Sequence, residues 1–147
     1  MLVVAALAWG APLPAQQARE IGLQAIGTAS DPALAAAALY GAIRTSTRTR
    51  LSAAAGAGIS SGEPALRGEL LGHFLLSPNQ LKGAGLYFAG GVAAVAGPVD
   101  RGYPVLTLGV EDRPGAGAGW AAEIGVGGGV RLAVGYRWRQ LRLPSVP

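Results

Sequence analysis

His73 is the only histidine in this 147-residue sequence, so a general base working at neutral pH would have to be built on it. A partner is available. If the segments around Ser52 and His73 form neighbouring antiparallel strands with Ser60 facing Ala65, Ser52 falls directly opposite His73. A serine beside a histidine is the start of a nucleophilic constellation. No acid that would orient the imidazole is identifiable, however, and no pair of backbone donors marks an oxyanion hole. The plainer reading makes His73 one member of a polar network, with nucleophilic catalysis as the alternative. The other chemistry-bearing residues are arginines and glutamates at alternate positions: Arg44, Arg48, Arg50, Arg67, Arg131, Arg137 and Arg139, with Glu20, Glu69, Glu111 and Glu123. Charges withdrawn from water must pair. The expected network comprises Arg48, Arg50, Arg67, Glu69, His73, Glu123, Arg131 and Arg137. Its positive excess leaves a narrow anion-favouring path as a second use.

Several chemistries are excluded or unsupported. There is no cysteine, which removes disulfides, thiolate metal sites and cysteine nucleophiles. No metal-ligand spacing occurs. The run Gly125-Val126-Gly127-Gly128-Gly129 lacks the Lys-Ser/Thr of a phosphate loop and joins two alternating segments, which fits a tight hairpin. No cofactor is expected. The net charge is +4, but the arginines stand at strand-like spacing and form no basic run, which argues against nucleic acid.

The elements that must carry these residues are legible from a period of two. Turn-forming residues break the chain at 29–33, 45–47, 61–64, 77–80, 97–102, 112–115 and 127–129. Eight segments remain, close to the length of a tilted membrane strand. In the third, Arg48, Arg50, Ser52, Ala54, Gly56, Gly58 and Ser60 share one face, against Thr49, Leu51, Ala53, Ala55, Ala57 and Ile59. In the fourth, Arg67, Glu69 and His73 oppose Leu66, Leu70, Phe74 and Leu76. In the eighth, Arg131, Ala133, Gly135, Arg137 and Arg139 alternate with Val130, Leu132, Val134, Tyr136 and Trp138. Such alternation makes one face apolar and the other polar or small.

Composition decides which face points inward. Only 14% of residues are charged, half are apolar, and glycine reaches 24. A solvent face would carry more Lys, Glu and Thr than these glycine- and alanine-rich polar faces do. A narrow lumen needs small residues and a few charges that can pair. The apolar face is therefore expected to meet lipid. With both termini on one side, Phe74, Trp120, Tyr136 and Trp138 all fall on the apolar face near the terminal end, as an aromatic girdle would. The charge-free stretch 83–99 is nearly long enough for a membrane helix, but its glycine density argues against one.

Residues 1–15 read as a signal peptide: the apolar run MLVVAALAW, then small residues and prolines, with cleavage after Ala15. Residues 16–147 form one domain. The fold class expected is all-β, an eight-stranded antiparallel up-and-down transmembrane β-barrel.

Eight alternating segments, the signal peptide and a last strand reading Gly129-Val-Arg-Leu-Ala-Val-Gly-Tyr-Arg-Trp138 resemble the small eight-stranded outer-membrane barrels of the OmpA/OmpX type, from about Ala18 to Leu141. The resemblance implies export to the bacterial outer membrane. It also implies membrane lipid as surroundings and recognition of the final strand by the outer-membrane insertion machinery. Here Arg139 to Pro147 follow the aromatic at which such chains usually stop. The expected function is structural or narrow-pore, without catalytic activity. The alternatives are a lipid-modifying barrel enzyme and a soluble lipocalin-like barrel holding an apolar ligand.

Overall fold

The computed structural model describes residues 18–30 and 32–140, so the signal-peptide reading of residues 1–15 lies outside the described residues. Eight strands follow one another: β1 (Arg19–Ala29), β2 (Leu34–Arg44), β3 (Thr49–Ser60), β4 (Glu63–Leu75), β5 (Ala84–Ala96), β6 (Arg101–Asp112), β7 (Ala118–Val126) and β8 (Val130–Gln140). Each pairs antiparallel with the next, and β8 closes on β1, giving a closed barrel. Closure leaves no strand edge with unpaired backbone groups. The start of β1 and the end of β8 lie at what we term the near end, together with the turns after β2, β4 and β6. The turns after β1, β3, β5 and β7 form the far end.

The alternation in sequence becomes an alternation in space. Strand β1 buries every second residue, and β2, β3, β4 and β8 follow the same rhythm. What is buried is inverted relative to a water-soluble protein. Twenty-five large apolar side chains of the described residues are exposed, among them Leu39 at 66%, Leu106 at 64% and Val134 at 61%. Six arginines and four glutamates are buried. The lumen is filled by this charge network and by two apolar clusters: Leu71, Leu75, Tyr87, Ala89, Ala93 and Val105 in one, Ile26, Ala38, Ala54 and Ala133 in the other. An eight-stranded wall encloses about this much room and no more.

The hairpin between β3 and β4 sets the register of the candidate site. Ser61 (φ 51) and Gly62 (φ 77) both take left-handed backbone, the geometry of the two-residue turns whose twist matches that of the flanking strands. Ser60 therefore faces Glu63, and Pro64 already pairs with Ile59 inside the strand. The expected pairing of Ser60 with Ala65 is corrected by two residues. His73 stands opposite Arg50, and Ser52 opposite Leu71. Because the slip is two residues and not one, both side chains keep the lumen face.

Candidate functional site

The buried charges form one connected chain along the barrel interior. At the far end Arg67 donates to the Tyr103 hydroxyl (2.8 Å) and to Glu69 (2.5 Å). Glu69 also accepts from Arg131, at 2.6 and 3.1 Å. Arg131 turns its other nitrogen to Glu123 (2.7 Å). Glu123 in turn meets Arg137 (3.3 Å) and accepts from the Tyr87 hydroxyl (2.6 Å). Arg137 continues to Glu111 (3.0 Å) and lies over the Tyr40 ring, 4.3 Å from its centroid. Arg50 then bridges Glu111 (3.0 Å) to Glu20 (3.2 Å), and Arg44 joins Glu20 at 3.3 Å. Every glutamate serves at least two arginines, which is how four carboxylates hold six guanidiniums out of water. The planar fork of arginine suits this sharing.

Arg44 and Arg139, which share their carboxylates with other arginines, are also met by backbone. Arg44 donates to the carbonyls of Pro78 (3.2 Å) and Pro114 (2.6 Å). Arg139 donates to the carbonyls of Arg113 (3.2 Å) and Ala116 (3.3 Å). These carbonyls belong to the near-end loops 76–83 and 113–117. The loops also bond to each other, Gly115 N–H to Gln80 O (2.8 Å) and Arg113 N–H to Gly83 O (2.9 Å). Pro78 and Pro114 are buried. The near-end mouth is thus covered by two loops clasped from below by lumen arginines. At the far mouth, Thr28, Ser60, Arg101 and Tyr103 surround a recess of only about 20 Å³.

Ser52 and His73 do meet, diagonally across the β3–β4 pair. Ser52 Oγ lies 2.7 Å from His73 Nε2. The other ring nitrogen, Nδ1, lies 3.2 Å from Arg50 Nη2. Guanidinium has no acceptor, so Nδ1 must accept that hydrogen bond and carry no proton. The ring's proton then sits on Nε2 and is donated to Ser52. This is the reverse of what a serine nucleophile needs, since its base must present a lone pair to the hydroxyl. Both side chains are buried. The pair works as a spacer between Arg50 and the β3 wall.

Of the sequence-predicted network, Arg50, Arg67, Glu69, His73, Glu123, Arg131 and Arg137 are brought together in the lumen. Arg48 is not, and that expectation is corrected. The turn after β2 spans residues 45–48, so the alternation that placed Arg48 inward runs past the end of the wall. Its exposed guanidinium reaches outside the mouth to the Leu76 carbonyl, 3.2 Å away. Phe74, Trp120, Tyr136 and Trp138 all point outward in the near half, each 43–47% exposed, and Phe88 joins them beside Phe74. Sequence reasoning missed Tyr40, Tyr87 and Tyr103 as lumen residues. In β5 both faces are apolar or small, which hid the alternation. The one cue was that Tyr87 and Phe88 must take opposite faces. Gly109 is the counterpart of Tyr87: a Cβ there would run into its ring.

No family model matches the sequence, and no curated protein matches it. Among solved structures, the N-terminal β-barrel domain of Pseudomonas aeruginosa OprF is similar in fold, with a TM-score of 0.61 at 12% identity. The match covers 82% of this chain and 97% of that domain. The eight-stranded architecture expected from the resemblance to OmpA-type barrels is the architecture found.

Proposed function

We propose that this chain is a small outer-membrane β-barrel with a structural role, its wall facing lipid and its lumen closed to solute flow. The observation that carries the proposal is the inverted polarity: among the described residues, ten charged side chains lie inside and twenty-five large apolar ones outside. In water that distribution would leave most of the wall as a sticky surface and bury charges for no gain. In a bilayer the apolar band is solvated by acyl chains and the lumen charges are shielded by the wall. The likeness to the OprF barrel supports the same reading at the level of fold. A lipocalin-like carrier would need an apolar interior, and the ion-pair chain occupies that space. A lipid-modifying enzyme would need Ser52 activated, and the direction of its hydrogen bond opposes this.

The test is extraction and conductance together. The reading expects the protein to leave the envelope fraction only with detergent and to migrate faster on gels unheated than boiled. It also expects no steady conductance in planar bilayers. Recovery of folded protein in detergent-free buffer overturns the membrane location. A stable ion current overturns the closed lumen.

A further inference from the structure

The lumen network leaves out a second set of charges, and these are sorted along the barrel axis. At the near end, Arg19, Arg48, Lys82 and Arg113 are exposed. They come from the start of β1, the turn after β2, the loop after β4 and the loop after β6, so they stand around the circumference. Among the described residues the near-end rim holds one acid, Asp112, which pairs with Arg113 at 2.9 Å. The far-end rim is different: Glu63 and Asp100 are exposed there, with Arg101 half-buried.

A second observation falls on the same end. Among the described residues, all five strongly exposed aromatic side chains, Phe74, Phe88, Trp120, Tyr136 and Trp138, lie on the outer wall in its near half. Tyr136 and Trp138 pack edge to face, 5.1 Å between centroids. Arg19 stands on the outward face of β1, two residues from Ile21, whose partner across β8 is Trp138. In the loop after β4, Leu81 is 67% exposed immediately before Lys82. Toward the near end the outer wall therefore adds aromatic side chains to its aliphatic ones, and cations follow beyond them. Acyl chains, the ester region and phosphate headgroups present that same order. Exposed arginine and lysine carry apolar stems that lie along the belt while their charges reach the headgroups.

We infer that the near-end rim is a docking surface for anionic phospholipid headgroups, held by Arg19, Arg48, Lys82 and Arg113 above the aromatic girdle. This rests on the membrane reading and deepens it, since it names the leaflet chemistry that one end selects. Opposite charge decides the preference: the same rim gains nothing from a zwitterionic headgroup beyond its phosphate, and the acidic far rim gains nothing from either.

The experiment uses the full chain folded in detergent, with phosphatidylglycerol or phosphatidylcholine added and retained lipid counted by native mass spectrometry. Phosphatidylglycerol is expected to be retained at least about tenfold over phosphatidylcholine at low salt, with the preference falling as salt rises. In R19Q/R48Q/K82Q/R113Q the preference should vanish, whereas E63Q/D100N at the far rim should leave it intact. If the fourfold variant does not fold, K82Q and R113Q singly should each lower the preference. Equal retention of the two lipids by the unaltered protein overturns the inference, as does a preference that survives removal of the near-end charges. A protein that folds without any amphiphile overturns the membrane reading instead, so the two failures are distinguishable.

Discussion

At the scale of single residues, each lumen glutamate is a shared anchor, and its loss strands more than one cation. Glu123 holds Arg131 at 2.7 Å, Arg137 at 3.3 Å and the Tyr87 hydroxyl at 2.6 Å. Removing one member of a buried ion pair costs about 3–5 kcal/mol because the remaining charge is left buried without its partner. E123A should therefore lower the unfolding free energy by about that amount, read as a shift in the urea midpoint of the folded protein in detergent. R113A breaks an exposed pair and should move the same midpoint by about 0.5 kcal/mol or less. Comparable effects from the two would show that the lumen is wet enough to rehydrate Arg131 and Arg137. Ser52 gives a second test at this scale. Since His73 donates to it, S52A leaves a buried N–H unsatisfied and should cost about 1–3 kcal/mol. Envelope lipid composition should not change, whereas a lost lipid modification would restore the enzyme reading.

At the scale of elements, one side chain bonds to both loops of the near-end cover. Arg44 reaches from β2 to Pro78 O and Pro114 O, tying two loops that also bond to each other through their backbones. R44A should leave the eight strands paired and raise amide exchange in residues 76–83 and 113–117, measured by hydrogen–deuterium exchange. Unchanged protection there would mean that the loop-to-loop bonds suffice. Strand existence and facing were legible in the sequence because a one-sided wall forces a period of two, and β3, β4 and β8 display it with charged residues on one face. Register was not. Ser61-Gly62-Glu63-Pro64 reads as a four-residue break, but Ser61 and Gly62 alone make the turn, and Pro64 is tolerated at the beginning of β4. Arg48 failed for a related reason: parity gives the side of a wall but not where the wall stops. The loop clasp was illegible because carbonyl acceptors leave no mark in a sequence, and the lumen tyrosine of β5 was masked by small residues on both faces.

At the scale of the whole molecule, the decisive quantity is what the outer wall touches. Val134 lies well inside β8, faces outward and is 61% exposed; it pairs with Ala25 and Ala122. In a bilayer an arginine there must thin the membrane or pull in water, at about 2–4 kcal/mol for a site near the midplane. In water the same substitution would be close to neutral, as exposed changes usually are. Leu81, equally exposed in a near-end loop, provides the internal control, because at the headgroup level the penalty falls to about 0–1 kcal/mol. V134R should therefore destabilise the vesicle-folded protein by several times more than L81R, measured from reversible denaturant unfolding in the same lipid. The comparison cancels what the two substitutions share, namely the introduced arginine and its charge. A depth-independent cost would place the wall in water and leave the ten buried charges without an explanation. A depth-dependent cost ties the inverted polarity to lipid, and with it the arrangement of aromatic and basic residues toward the near end.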